Sequence, residues 1–300
     1  MTTADDPLPA LVRALRSNSP ADRVRAAKDV GRLGWLAREA LPALVGALHD
    51  DDSKVRESAA HAIGSMGPEA LPTLVGMLAH DDKYVRRNAV WALGKLGPLA
   101  RPALSELCRA LKDSDPRTAS GAAQSLGGMG ADGADAVPPL AEAMRGTNIV
   151  LCRLAAKALS QIGPPAIATL IAHLQHADPF VRGESALAIG WVGAAARAAV
   201  PFLARVLRGP ESALVHTPPP PPHTPTAIAP PDSDTATPPQ VTDIGDPSAD
   251  VNCRVFAAQA LGRIGPAASG ALTDLRDAIA SAPESVRQAA ERAVRQIEGP

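Results

Sequence analysis

The sequence predicts an all-α protein, a right-handed α-α superhelical solenoid of about eight helix pairs. Three observations lead to this expectation. A phrase of twelve residues recurs along the chain, a helix-capping residue precedes it at a fixed distance, and aromatic residues make up only 2% of a composition that is 46% hydrophobic. A core of small aliphatic side chains suits closely packed helices, whereas sandwiches and barrels need larger side chains to fill their interiors.

The recurring phrase begins with Arg, continues through paired Ala and closes on Gly-x-x-Gly, as at 56–67, 86–97, 182–193 and 254–265. Its first position, called the anchor below, is occupied in turn by Arg23, Arg56, Arg86, Ala119, Cys152, Arg182, Arg254 and Arg287. Successive anchors are 30 or 33 residues apart, except for a gap of 72 between the sixth and the seventh. A fixed period of this length predicts eight repeats.

A helix-capping residue type stands four positions before each of the first seven anchors. These residues are Ser19, Asp52, Asp82, Asp115, Asn148, Asp178 and Asp250. Their side-chain oxygens can accept hydrogen bonds from the free N–H groups of a first helical turn, and the closing glycine is a typical helix end. A first helix is predicted before each capped helix, with a proline near its start at Pro9, Pro42, Pro72, Pro102, Pro138 and Pro201.

These residues resemble HEAT repeats, in particular the type named after phycobilisome lyases, whose signature is Asp-x-x-Val-Arg-x-x-Ala-Ala-x-Ala-Leu-Gly-x-Leu-Gly. Residues 52–67 and 82–97 match it nearly throughout. The resemblance implies a HEAT/armadillo-like solenoid whose anchor arginines hydrogen-bond acidic residues of a neighbouring turn. It is more specific for fold than for function, because the family includes scaffolds, transport factors and a few enzymes.

The gap between Arg182 and Arg254 indicates an insert of about 39 residues in the seventh repeat. The chain therefore divides into 1–209, with six repeats and the first helix of the seventh, a Pro/Thr-rich insert at 210–249, and 250–300, with the second helix of the seventh repeat and the eighth. The insert has almost no large apolar residues and is predicted to be disordered, with stretches of polyproline II. Three interpretations stay open: a tolerated loop expansion, a docking site for a proline-recognising partner, and phosphorylation at Thr217, Thr224 and Thr237.

No catalytic, cofactor or metal site is predicted. The sequence has no Gly-rich phosphate loop after a strand and no Cys-x-x-Cys or His-x-x-x-His. Its three cysteines are an odd number without short paired spacing, which favours reduced thiols over disulfides or a zinc site. The HEAT-fold deoxyhypusine hydroxylases hold two irons with His-Glu pairs directly after Val-Arg, and only Glu184 of such pairs is present here. Bilin attachment, the other activity that the resemblance brings in, has no residue signature to examine. We therefore expect a protein that is not an enzyme.

The resemblance places the anchor-bearing helices on the concave side of the solenoid. At 100° per residue, positions one, two, five and nine after the anchor face outward, and nine basic residues stand there against two acidic ones. We call the predicted contact residues on this face the binding stripe. They are Arg25, Lys28, Arg32, His61, Arg87, Trp91, Lys95, Arg153, Lys157, Trp191 and Arg263.

Exposed Trp and Arg together are typical of interface hot spots, although long basic side chains can also simply solubilise a helix. An acidic protein or peptide is favoured as the partner. Nucleic acid is the alternative, but the fourth and sixth repeats interrupt the basic stripe, and phosphate tracking requires continuity. The net charge of −1 and the lack of 18 consecutive apolar residues lead us to expect a protein that does not associate with membranes, and its reduced thiols favour the cytoplasm. The polar outward face of the last repeat, with Glu291, Arg292 and Arg295, favours a monomer.

Overall fold

The computed structural model describes residues 7–209 and 247–299, with only the backbone given for 247–249. Sixteen α-helices and no strand occur in this part of the chain, which confirms the all-α fold with eight helix pairs. The chain folds as two compact units, Met1–Ala143 and Met144–Pro300. The interpretations of the insert fall outside the described residues, apart from 247–249, which begin a helix.

The helices of the two units follow one another in pairs. In the first unit they are α1 (Leu8–Ala14), α2 (Pro20–Leu33), α3 (Leu41–Ala47), α4 (Ser53–Ser65), α5 (Leu71–Met77), α6 (Lys83–Leu96), α7 (Leu104–Ala110) and α8 (Pro116–Gly128), followed by α9 (Val137–Met144), which ends at the boundary. In the second unit they are α10 (Ile149–Ile162), α11 (Ile167–His173), α12 (Pro179–Val192), α13 (Val200–Arg208), α14 (Pro247–Ile264), α15 (Leu272–Ser281) and α16 (Glu284–Glu298).

The second helix of a repeat begins where the sequence predicts. Six predicted caps accept a hydrogen bond from a first-turn N–H, namely Ser19, Asp52, Asp82, Asp115, Asn148 and Asp178. Asp250 was wrongly predicted as the seventh, because α14 begins three residues earlier, at Pro247. Asp250 therefore lies inside the first turn, where the helix dipole favours a carboxylate. Its side chain accepts a hydrogen bond from Arg182 instead.

The two repeat lengths have one local cause. A 3₁₀ segment links each closing glycine to the next first helix, with seven residues in Gly34–Ala40 and Gly97–Ala103 but four in Gly67–Ala70. Three residues are about one turn of 3₁₀ helix, so the 33-residue repeats exceed the 30-residue repeats by a single turn. The other 30-residue spacing coincides with the other short segment, Pro164–Ala166.

Both glycines of the recurring phrase have a structural role. The closing glycines from Gly34 to Gly265 have φ between 53° and 82°, a conformation that other residues rarely adopt. The first glycine allows neighbouring second helices to approach closely. A Cβ atom added at Gly31 would lie 3.0 Å from the Cα atom of Ala62, and one added at Gly190 would lie 2.9 Å from that of Ala260. Within each unit, successive second helices therefore pack side by side.

Three anchor arginines, Arg23, Arg86 and Arg182, tie the turn before their own helix to the next repeat. The Nη1 atom of Arg86 donates to the carbonyl oxygens of His80 and Asp81 at 2.7 and 2.8 Å, and its Nε and Nη2 atoms donate to the Asp113 carboxylate at 2.7 and 2.9 Å. Arg23 bonds the Asp50 carboxylate in the same way. The hydrogen bonds implied by the resemblance are therefore present, and they join the capped turns of adjacent repeats.

Where the next repeat offers no carboxylate, either the anchor arginine contacts another group or the anchor position holds a residue other than arginine. His80 stands at the position that corresponds to Asp50, and the Arg56 guanidinium lies instead 4.6 Å from the centroid of the Tyr84 ring. At the fifth anchor, the Cys152 Sγ atom donates to the carbonyl oxygen of Gly146 at 3.1 Å. This carbonyl is the one that anchor arginines contact in other repeats, so the cysteine retains part of the tie.

One stretch, Pro179–Arg208, is long and apolar enough to cross a membrane by length and composition alone. In the structure it consists of two helices, α12 and α13, separated by a 3₁₀ segment that begins at Gly193 with φ of 71°. Both helices pack against α14, and Val181, Ala186 and Leu203 are fully or almost fully buried. Its apolar composition is accounted for by the core of the second unit.

A buried histidine interrupts the aliphatic core of the second unit. The side chain of His173, at the end of α11, is 8% exposed, and its Nδ1 atom has no hydrogen-bond partner within the described part of the chain. Burial, with the positive charges of Arg145 and His176, lowers the pKa of His173 to about 4. The imidazole is therefore neutral in the folded protein at pH 7.

Replacing Arg86 by Met should lower the free energy of unfolding by about 2 kcal/mol, because the largely buried Asp113 carboxylate loses its charged partner. Urea unfolding followed by circular dichroism measures the change. Arg109→Met is the matched control, since Arg109 is 75% exposed and pairs with Glu106 within one helical turn. Equal shifts of the two midpoints would show that the anchor contact does not stabilise the fold.

The acid sensitivity of the fold should decrease in the variant His173→Leu. Unfolded histidine titrates near about pH 6.5, whereas His173 in the folded protein titrates at about 4. The unfolded chain thus binds more protons between these values, and the free energy of unfolding falls as the pH drops through that interval. Urea midpoints at pH 7 and pH 4.5 should differ less for His173→Leu than for the wild type or for His49→Leu, an exposed control. Identical pH profiles would contradict this account.

Deleting residues 210–248 should leave the seventh repeat folded, because it shortens the gap of 72 residues to the usual 33. The contacts that flank the insert hold the register: Arg254 Nε donates to the Leu207 carbonyl oxygen at 2.8 Å, and Arg182 bonds Asp250. Closing a much shorter loop should raise the free energy of unfolding by about 2 kcal/mol. A loss of helical circular dichroism would instead show that the insert is needed for folding.

Candidate functional site

The binding stripe lies on the second helices, and nine of its eleven residues have exposed side chains. The first unit carries seven of them, which are Arg25, Lys28, Arg32, His61, Arg87, Trp91 and Lys95. The second unit carries Arg153, Lys157, Trp191 and Arg263. Arg87 and Arg153 are the two that are not fully exposed. The helical geometry thus brings the predicted residues to the surface, while their role as partner contacts stays a prediction.

In the first unit, stripe residues from three successive second helices come together. The His61 ring on α4 meets the Trp91 ring on α6 in a T-shaped arrangement, with the ring centroids 3.9 Å apart. The Lys95 Nζ atom lies 4.9 Å from the Trp91 ring centroid, at cation–π distance. Lys28 occupies the corresponding position on α2. We call Lys28, His61, Trp91 and Lys95 the aromatic–cation row.

The electrostatic environment of this row is positive. Partial burial of the exposed His61 ring lowers its pKa, Lys95 and Lys28 lower it further, and Glu57 raises it. The net shift is downward, so the imidazole is mainly neutral at pH 7. The two ammonium groups then face a single carboxylate, that of Glu57. A surface with this charge attracts anionic groups, and the 36% exposed Trp91 ring gives it an apolar centre.

The second unit has a smaller version of the same arrangement. Trp191 on α12 is 47% exposed, and the Arg263 guanidinium on α14 lies 5.9 Å from its ring centroid. Both residues stand nine positions after their anchors, so neighbouring helices bring them together. The stripe residue Lys157 is also exposed, on α10.

Arg87 is not a free cation of the stripe. Its Nε atom donates to Asp115 Oδ2 at 2.6 Å and its Nη2 atom donates to Oδ1. Asp115 is the N-cap of α8. Burial opposes the ionisation of Asp115, but the hydrogen bonds from Arg87 and Thr118 hold the pKa of its carboxyl well below the usual range. Arg87 therefore joins two helices of the first unit, and its positive charge is largely neutralised.

Arg153 is similarly occupied in the second unit. Its Nε atom donates to Glu184 Oε1 at 3.2 Å, and its guanidinium lies 5.8 Å from the Phe180 ring centroid. The Glu184 side chain is buried, and burial raises the pKa of its carboxyl, against the influence of Arg153. Glu184, which stands at the position of a metal ligand in the HEAT-fold deoxyhypusine hydroxylases, is thus bonded to Arg153 in this protein.

Tyr84, which is exposed near the start of α6, was not predicted from the sequence as a contact residue. Arg56, Lys83 and Arg87 have their charged groups 4.6, 5.4 and 5.2 Å from its ring centroid. Tyr84 lies two residues before its anchor, outside the positions that define the stripe. The one available signal was that the only tyrosine of the chain stands close to three basic residues in sequence.

Potential ligands for metals and nucleophiles are scattered or buried. The described residues contain no group of three or more His, Cys, Asp or Glu side chains that could hold a metal ion. Burial raises the pKa of Cys152 to about 12 and that of Cys253 to about 11, so both thiols are protonated at pH 7.

Comparisons with known proteins concern the fold. The family model for HEAT repeats matches residues 8–94, 76–150 and 137–217. A search of the curated proteins finds none that matches this sequence. An engineered protein of known structure is 20% identical, with 97% of this chain and 78% of that chain covered and a TM-score of 0.47.

Two further solved structures are similar at low identity. A designed armadillo repeat protein in complex with the peptide (KR)4 is 20% identical, with 63% of this chain and 100% of that chain covered and a TM-score of 0.44. The complex of CpcE and CpcF of phycocyanin lyase from Nostoc sp. is 19% identical, with 98% and 97% covered and a TM-score of 0.40. Since the family model matches well over half of its residues, the chain belongs to the HEAT-repeat family.

Proposed function

We propose that this protein is a non-catalytic scaffold or adaptor that holds an acidic protein segment against the exposed face of its second helices. The observation that carries the proposal is the pairing of an exposed tryptophan with a cation in each unit, Trp91 with Lys95 and Trp191 with Arg263. An exposed indole ring gains free energy when a partner covers it, and adjacent cations orient an acidic partner.

The charges of the stripe favour a protein segment over nucleic acid. Asp115 and Glu184 largely neutralise Arg87 and Arg153, so the row of cations available to a ligand is interrupted in each unit. Binding along a nucleic-acid backbone depends on many phosphate contacts in succession. A short acidic segment with an apolar side chain needs only a few cations beside an aromatic ring. We also propose that the protein is a cytoplasmic monomer that works without a cofactor.

The double variant Trp91→Ala/Lys95→Glu should lose its acidic partners in affinity capture followed by mass spectrometry. Loss of an interface tryptophan costs on the order of 30-fold in affinity. The matched control is Trp35→Ala/Arg16→Glu, which makes the same kind of changes at exposed residues of the first unit outside the stripe. The partners that the control retains and the stripe variant loses should be captured by the wild type more efficiently at low salt, because salt screens the charges of the stripe.

Identical partners for the wild type and both variants would contradict the proposal. Capture that depends on nuclease-sensitive material would instead identify nucleic acid as the ligand. Circular dichroism of each variant checks that the fold is intact before capture is compared.

A further inference from the structure

We infer that the aromatic–cation row binds a carboxylate together with a proton that His61 takes up, so that affinity for an acidic segment rises as the pH falls. This inference rests on the proposed function and concerns the same surface. It identifies His61 as the residue that makes recognition depend on pH, and it specifies the partner group as a carboxylate that stays ionised in mildly acidic solution.

The position of His61 makes it reachable by a ligand on this face. Its side chain is exposed on α4, and its ring is held edge-on to Trp91 across the gap to α6. A segment that covers the Trp91 ring therefore comes within contact distance of the imidazole. Lys28 and Lys95 flank the same place, so a carboxylate seated there is surrounded by one imidazole and two ammonium groups.

The charged groups around His61 come from three helices. They are Lys95 on α6, Glu57 on α4 itself and Lys28 on α2. The third helix packed against α4 is α3, which carries no titratable side chain. The 3₁₀ segments that contact α4 carry Arg38, Glu39 and Glu69, all exposed and none among the charges that act on His61. The balance at the imidazole is therefore two positive charges against one negative charge.

A bound carboxylate reverses this balance. In the free protein, partial burial and the two lysines lower the pKa of the His61 imidazole and so favour its neutral form. The ligand adds negative charge beside the ring and accepts a hydrogen bond from the imidazolium, so the protonated form becomes favoured in the complex. Because binding free energies are reciprocal, a ligand that raises the proton affinity of His61 binds more tightly once His61 is protonated.

His61 is the group of the row whose charge changes in the accessible pH range. Lysine ammonium groups titrate near about 10.4 and aspartate near about 3.9, so both keep their charges from pH 5.5 to pH 8.5. Binding through ordinary ammonium groups alone would be independent of pH over that range. A gain in affinity on acidification therefore reports the protonation of an imidazole, and a substitution at His61 assigns it.

The test uses the full chain and a defined probe, a twelve-residue peptide of repeating Asp-Asp-Leu, with isothermal titration calorimetry at pH 5.5, 7.0 and 8.5 and constant ionic strength. We expect binding on the order of threefold tighter at pH 5.5 than at pH 8.5, the size typical of an exposed charge pair. His61→Gln should bind the peptide with the same affinity at pH 5.5 and at pH 8.5, so that the gain on acidification is lost. His49→Gln, a histidine outside the row, should keep the gain, and an Asn-Asn-Leu peptide should bind without it.

Failure of the inference is distinguishable from failure of the proposed function. Equal affinities at pH 5.5 and 8.5, or a gain that persists in His61→Gln, would overturn proton uptake and leave the acidic-segment scaffold standing. No binding of the Asp-Asp-Leu peptide at any pH would overturn both. As a second measurement, the NMR titration of the His61 ring protons, assigned with His61→Gln, should shift to higher pH when the peptide is added. An unchanged titration would also overturn proton uptake.

Discussion

The structure depends on how the turn between the two helices of a repeat satisfies its backbone carbonyl groups. A turn of this kind leaves helix-terminal N–H and C=O groups without intrahelical partners. The capping side chain accepts from the N–H groups, and the anchor guanidinium donates to the carbonyls while it also reaches the next repeat. One arginine such as Arg86 thereby fixes both the geometry of its own turn and the register of its neighbour.

This coupling explains why much of the fold could be predicted from the sequence. A cap, an anchor and a closing glycine at fixed spacing are local signals, and six caps and the closing glycines lie where they were expected. The start of α14 was not predictable from the same spacing, because Pro247 can begin the helix one turn ahead of Asp250. The 3₁₀ segments were also missed, since Gly, Pro and Ala in short runs are compatible with several turn conformations.

The exposed face of the stripe followed from helical geometry, but the state of its charges did not. Arg87 and Arg153 bond carboxylates 28 and 31 residues further on, and a helical wheel of one helix contains no information on such partners. Contacts between residues at equal repeat positions, such as His61 with Trp91, were accessible in principle once the repeat was aligned. The cluster of basic residues around Tyr84 required coordinates, because long side chains choose their direction in three dimensions.

The single 3₁₀ turn that separates the two repeat lengths has a consequence for how such a protein can diverge. Extra turns enter between the closing glycine and the next first helix, away from the cap and the anchor. The 3₁₀ segments can therefore change in length by one turn, and in composition, while the cap, the anchor and the closing glycine of each repeat keep their spacing. The exposed Trp35, Leu36 and Leu99 all stand on these segments. The paired helices thus keep the fold, while the 3₁₀ segments between repeats are the places where new exposed side chains can be added one turn at a time.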